Sequence, residues 1–308
     1  LQAMFKDLFP EEYIAVVQGD WRAAKELVQR DFDFIFFTGS THVGREVMSA
    51  AAENLTPVTL ELGGKCPCIV CSDADIEVAG RRIAWGKLLN SGQTCVAPDY
   101  VLVEKHIRES FLKRLKESFC GNASNAGESM QRIINATHFE RLVSYLEHGT
   151  VFAGGKYNRD KLQISPTIMV QVDRNSKLMH EEIFGPILPV ITCENLDEAI
   201  HTVQAGPKPL ALYLFASNKR AHQRIVAETS SGGLCINDTV SHLLNKELPF
   251  GGVGHSGMGS YHGKAGFDCF THFKSALKRS TLIDPDQYTR NNKAPLSALK
   301  RMYSFLLR

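Results

Sequence analysis

Cys95 lies on a glycine-bearing approach, Ser91-Gly92-Gln93-Thr94-Cys95-Val96-Ala97-Pro98-Asp99-Tyr100. Gly92 tolerates backbone angles that other residues resist, while Pro98 fixes its own φ and restricts Ala97. The segment therefore reads as a rigid loop presenting one thiol. A buried structural cysteine is the alternative reading, because free cysteines are among the most buried residue types. Upstream, Leu60-Glu61-Leu62-Gly63-Gly64-Lys65 sets a carboxylate ahead of two glycines. Together the two segments supply the halves of a covalent mechanism. A thiolate attacks a carbonyl, and a carboxylate deprotonates either the thiol or the water that later cleaves the adduct.

Other segments carry weaker signals. Gly39-Ser40-Thr41-His42-Val43-Gly44 reads as a strand-to-helix turn whose glycines would let backbone N–H groups approach a phosphate; a structural corner is the alternative. It is not a P-loop, since Arg45-Glu46 follows Gly44. Glu182-Ile183-Phe184-Gly185-Pro186 puts a carboxylate and an aromatic ring two positions apart, on one face of an extended backbone. That pair suits a ribose diol and the flat ring beside it, or else is a solvated glutamate and a core phenylalanine. Gly252-Val253-Gly254-His255-Ser256-Gly257 matches Gly-x-Gly-x-x-Gly, but Pro249-Phe250-Gly251 precedes it where a strand would be needed, so it reads as a loop. Cys66, Cys68 and Cys71 lack the second pair or nearby histidine of a zinc site, and on a strand Cys68 and Cys71 would face opposite sides. His180-Glu181 fails as a zinc-protease helix, because Phe184 stands where histidine is required.

The elements that must position these residues alternate. Apolar residues at Leu1, Met4, Phe5, Leu8 and Phe9 predict a helix within 1–14, and Ile14–Val17 a short buried strand. Asp20 caps a predicted helix to Arg30, Phe34–Phe37 is a strand, 45–52 a helix and 58–62 a strand. Strands follow at 67–71, 100–103, 151–153, 166–172 and 210–215; helices at 76–89, 107–119, 137–148, 196–205 and 219–229. Asn237 follows a glycine turn into a strand, Ser231-Gly232-Gly233-Leu234-Cys235-Ile236, where packing is one reading of its role. Residues 120–129 read as a polar loop, and 284–308 as a loosely attached tail. This is an α/β pattern, most simply a parallel sheet with covering helices.

A chain of 308 residues predicts about two domains. Its composition, 44% hydrophobic and 22% charged, is that of a soluble globular protein. A formal net charge of +2 gives no footprint for nucleic acid. Eight dispersed cysteines predict reduced thiols in an intracellular compartment, cytoplasmic or membrane-associated. No metal site is expected.

Leu60 to Lys65, Gly92 to Cys95 and Glu182 to Pro186 resemble, in order and spacing, signature segments of the NAD(P)-dependent aldehyde dehydrogenases. Thr56 to Lys65, Cys95 to Tyr100 and Pro249 to Gly254 resemble the class 3, fatty-aldehyde-type branch more narrowly. The resemblance implies a partial Rossmann-like cofactor domain over 1–62, an α/β catalytic domain over 63–265, and a C-terminal oligomerisation segment and tail over 266–308. It implies NAD or NADP as cofactor, with Gly39, Ser40, Gly44, Leu62, Glu182 and Phe184 binding it. It implies Cys95 as nucleophile, Glu61 as base, and Asn237 and His255 on the substrate side. The substrate would be a medium- or long-chain or aromatic aldehyde, oxidised to its acid. A homodimer, with 267–276 as a strand pairing across it, follows from the family's habit, and membrane association stays open. Relative to the family the chain reads as N-terminally truncated. That raises the alternative of a non-catalytic oligomer partner.

Overall fold

The computed structural model describes residues 1–121, 131–279 and 296–306. The predicted polar loop at 120–129 falls almost wholly outside these, as does 280–295. The chain divides into a compact unit, Leu1–Thr271, and a second unit, His272–Arg308.

Helices α1 (Gln2–Leu8) and α2 (Trp21–Leu27) lead into strand β1 (Ile35–Gly39), helix α3 (Thr41–Glu53) and strand β2 (Val58–Leu62). Asp20 caps α2 by accepting the Arg22 N–H at 2.9 Å, as predicted. β1 and β2 pair in parallel, with Thr38 opposite Glu61 and Gly39 opposite Leu62. The predicted strand at Ile14–Val17 does not form: the segment is irregular and Val17 is exposed. An apolar run becomes a strand only where a neighbour accepts its backbone groups. Here the three-stranded sheet ends at β1.

After β2 the chain passes to a second sheet. β3 (Pro67–Val70), α4 (Ile76–Leu88), β4 (Tyr100–Glu104), α5 (Arg108–Cys120) and α6 (Ala136–Ser144) come first. β5 (Thr150–Ala153), the small hairpin β6 (Tyr157–Asn158) and β7 (Gln163–Ile164), β8 (Thr167–Val170) and α7 (Lys177–His180) follow. β9 (Ile187–Cys193), α8 (Leu196–Ala205), β10 (Ala211–Phe215), α9 (Lys219–Glu228) and β11 (Gly233–Ile236) complete it. The seven strands run β11-β10-β3-β4-β9-β8-β5, all parallel except β5. β9, interior to this sheet, is the strand the sequence pattern conceals. Pro189 sits inside it and Gly185-Pro186 just before it, both of which argue against an interior strand.

Alternation along the strands separates two cores. Cys68, Val70, Val101, Val103, Tyr213 and Phe215 pack with α4 and α5 on one face. Ile69, Leu102, Ile191, Leu212 and Leu214 pack with α8 and α9 on the other. Cys68 and Cys71 fall in different cores, as the strand period requires.

Beyond β11, strand β12 (Gly257–Met258) returns to the first sheet and pairs antiparallel to β2, Gly257 opposite Glu61. Helix α10 (Gly263–Cys269) ends the compact unit. The segment expected as an inter-subunit strand, 267–276, begins inside this helix: 267–269 are helical, and 270–276 pair with no described strand of the same chain. Phe267 and Phe270 recur at helical spacing, and Phe270 packs on Phe34 and Phe36, with ring centroids 5.2 and 5.7 Å away. Within the tail, Leu296–Leu306 forms helix α11.

Candidate active site

The Cys95 loop is held from several sides. Asn90, Ser91 and Gly92 adopt φ of 52°, 55° and 73° in succession, a left-handed turn at the end of α4. For Gly92 the conformation is necessary, because a Cβ there would lie 2.2 Å from the Gly185 carbonyl oxygen. The Gln93 side chain donates to the carbonyls of Asn90 and Arg132 and accepts the Ile134 N–H. The Cys66 thiol donates to the Cys95 carbonyl at 3.3 Å, and the Tyr213 hydroxyl donates to the carbonyl of Val96. These bonds fix the backbone while the Cys95 side chain stays half-buried.

Burial, then the Glu182 charge, pushes the Cys95 thiol up to about 11, with Glu61 adding to it and the N–H groups of Cys95 and Val96 acting against it. Both carboxylates therefore act on one sulfur, and the two N–H groups favour negative charge there. Glu61 is 3% exposed, and both its carboxylate oxygens are buried without a hydrogen-bond partner among the described residues. Burial raises it to about 8. An unpaired buried carboxyl is costly, of order 1–3 kcal/mol, so this position is not one that packing alone would select. Its strand neighbours, Thr38 of β1 and Gly257 of β12, place it at the middle of the three-stranded sheet. The glycine run 252–257 is a tight reversal that supports it. A Cβ at Gly257 would lie 2.0 Å from the Leu60 oxygen, and one at Gly252 1.9 Å from that of Ser256.

Glu182 links this site to a neighbouring cavity of about 670 Å³, lined among others by Ser40, Thr41, Gly63, Gly64, Glu182 and His255. A Cβ on Gly63 would lie 2.0 Å from the Glu182 carboxylate, so the glycine leaves room for that group. Burial is again the main cause raising Glu182 to about 8; the Asp99 charge adds to the rise, and the Gly64 N–H opposes it. Ser40 caps α3 through a 3.3 Å bond from the Val43 N–H, so the cavity meets a helix N-terminus.

The remaining residues singled out in sequence lie as follows. Gly39 ends β1. Gly44 is not part of a turn: it lies inside α3, where a Cβ would fall 2.5 Å from the Leu62 side chain, so Gly44 and Leu62 form one helix–strand contact. The expected extended backbone at 182–184 is also corrected. Phe184 has φ 51°, so spacing alone does not put it on the face of Glu182, and it does not line the cavity. Asn237 uses both side-chain polar atoms on the Ala216 backbone, accepting its N–H and donating to its carbonyl, each at 2.9 Å. His255 lines the cavity with Ser40, and its carbonyl accepts the Thr41 hydroxyl.

Sequence reasoning passed over a charged cluster behind the loop. The Asp99 carboxylate accepts from Lys65 and, at 3.0 Å, from the Ile183 N–H, and Lys87 of α4 lies 4.0 Å away with no exposed surface. A signal was present: Lys87 follows Ile83 by four on the buried stripe of α4.

The α/β scaffold thus brings together a half-buried thiol, a buried carboxyl whose charge acts on it, and a cavity lined by a second carboxyl. The chain belongs to the aldehyde dehydrogenase family, which it matches over residues 1–276. It is 49% identical over 282 residues to the mouse "Aldehyde dehydrogenase, dimeric NADP-preferring", covering 91% of this chain and 61% of the relative. It is 44% identical over 306 residues to mouse "Aldehyde dehydrogenase family 3 member A2", covering 97% and 63% respectively. The solved "Substrate bound state of Staphylococcus Aureus AldH" superposes with a TM-score of 0.88 at 43% identity, over 98% of this chain and 67% of that one. The fold is thus that of an aldehyde dehydrogenase, and the chain spans about two thirds of the length of such relatives.

Proposed function

We propose that this chain carries the nucleophile and base of an NAD(P)-linked oxidation of medium- or long-chain or aromatic aldehydes to carboxylic acids. The observation that carries the reading is the half-buried Cys95 thiol with the Glu61 carboxyl, unpaired and raised to about 8, acting on it by charge. Cys95 attacks the carbonyl carbon, and the resulting oxyanion falls to backbone N–H groups, that of Cys95 among them. After oxidation the carbonyl carbon is held as a thioester on Cys95, which leaves readily when water adds. Glu61 takes the proton from that water. Near its raised pKa it holds enough of the basic form at neutral pH while remaining a strong acceptor.

The residues present fit the nicotinamide end of a dinucleotide. Ser40 at the α3 N-terminus and Glu182 on the Gly63 backbone line one cavity, the latter a carboxylate suited to a ribose diol. When bound, the nicotinamide supplies the hydride acceptor. On this reading 1–62 is the end of the cofactor domain, 63–265 the catalytic domain, and 266–308 a segment for homodimer contact. His255 on the cavity rim is kept as a substrate-side or cofactor-side polar contact, and Asn237 as a support for its strand end.

The test is single- and multiple-turnover oxidation of an aldehyde by the 308-residue chain with NAD or NADP, read by reduced-cofactor absorbance. Cys95→Ala should abolish both phases. Glu61→Gln should keep the first turnover and lose the steady state by about 10²-fold or more. Unchanged steady-state rates in either variant overturn the assigned role. The second reading is a non-catalytic oligomer partner. A rise in melting temperature with cofactor separates the two, because only a bound native state is stabilised.

A further inference from the structure

Cys95 and Val96 are the two central residues of a turn that the Ala97 N–H closes on the Thr94 carbonyl at 3.0 Å. Both inner carbonyls of that turn are taken by buried side chains of the seven-stranded sheet. The Cys66 thiol, one residue before β3, donates to the Cys95 carbonyl at 3.3 Å. The Tyr213 hydroxyl of β10 donates to the Val96 carbonyl. Neither side chain has exposed surface. The Cys66 sulfur also accepts the Ala211 N–H at 3.4 Å, which leaves its single proton for Cys95. Burial pushes both the thiol and the phenol up, so each keeps the proton it donates. Val96 itself is fully buried in the same core and seats the turn from a third side.

A trans peptide is planar, with its N–H opposed to its C=O. Drawing the Cys95 carbonyl toward Cys66, in the core, therefore turns the Val96 N–H away from the core, to the side of the half-buried Cys95 thiol. That N–H meets no backbone acceptor among the described residues. We propose that Cys66, with Tyr213 holding the next peptide, is a positioning residue that aims the Val96 N–H at the Cys95 sulfur and so favours the thiolate. Such a donor counts most in the charged state, because a hydrogen bond to an anion is stronger than one to a neutral thiol. The titratable groups acting on Cys95 are Glu182, Glu61, Tyr261 and Cys66 itself, and the two carboxylates work against ionisation. The sign of the effect is diagnostic. If the two bonds only satisfied buried carbonyls, loosening the turn would expose the sulfur and speed its modification.

The proposal deepens the reading of Cys95 as nucleophile and rests on it. The test is iodoacetamide alkylation of the 308-residue chain, followed at the Cys95 peptide by mass spectrometry across a pH series, for Cys66→Ala, Cys66→Ser and Tyr213→Phe. Cys66→Ala should slow alkylation about three- to tenfold at every pH below the thiol's own range, corresponding to about half to one unit in the thiol. Cys66→Ser keeps a donor at the same place and should restore most of the rate. Tyr213→Phe should slow the reaction less, about two- to threefold. Faster or unchanged alkylation of Cys66→Ala, or a Cys66→Ser as slow as Cys66→Ala, overturns the proposal. Should Cys66→Ala fail to fold, faster or unchanged alkylation of Tyr213→Phe overturns it instead. An unaltered chain in which Cys95 reacts no faster than Cys269, the other half-buried thiol among the described residues, refutes the nucleophile reading itself.

Discussion

The two sheets meet at the site but are built to different standards. The seven-stranded sheet is covered on both faces, with α4 and α5 on one side and α8 and α9 on the other. The three-stranded sheet has one small core, Ile35, Val47, Ala51, Leu60 and Leu62, and the segments before it leave Leu8, Tyr13, Val17 and Trp21 exposed. The Cys95 thiol follows the end of α4, on the first; the Glu61 carboxyl lies on β2, in the second. A rigidly held thiol loop and a carboxyl on a less supported sheet thus act on each other by charge, and that coupling depends on the weaker sheet.

Three substitutions test that contrast. The largest effect should come from Leu102→Ala in β4, buried at the centre of the large sheet: about 2–5 kcal/mol of global stability, read by denaturant unfolding. In the unaltered chain, hydrogen exchange should then find β4 amides opening only with the whole unit and β1 amides opening earlier. Equal protection of both strands would remove the distinction. Next, Gly257→Ala should cost about 1–3 kcal/mol, since the new Cβ meets the Leu60 carbonyl and φ is 139°. Its signature is lost protection around Leu62, whose N–H donates to the Ser256 carbonyl at 3.0 Å.

The smallest effect concerns pH. Glu61 in the folded chain binds its proton more tightly, near 8 against an ordinary 4.5, so its contribution to stability is highest below 4.5 and falls as pH rises through that window. Glu61→Gln should therefore flatten the dependence and gain about 1–2 kcal/mol near pH 8. A thermal melting series from acid to mildly alkaline pH checks this, and a variant less stable at pH 8 refutes the unpaired burial.

Much of the scaffold was legible along the chain. β2 was placed at both ends because Val58–Leu62 alternates apolar and polar residues between a proline and a glycine pair. Helix α8 was equally plain, its Asn195 cap accepting the Glu198 N–H at 3.1 Å. The errors share a cause. Ile14–Val17 has strand residues without a neighbour to pair with, and β9 hides behind Pro189. Phe267, expected in a strand, lies in helix α10, and Phe270 packs on Phe34.

The sequence by itself determined which groups could react: one thiol on a glycine approach, one carboxyl before two glycines, and a second carboxyl before Gly-Pro. Local chemistry of that kind is written in adjacent residues. Only the tertiary structure decided that Asn237 is spent on the Ala216 backbone, that Phe184 turns out of line, and that Lys87 lies buried beside Asp99. Charge and burial are set by neighbours distant in sequence. Proton affinity at the site therefore belongs to the fold.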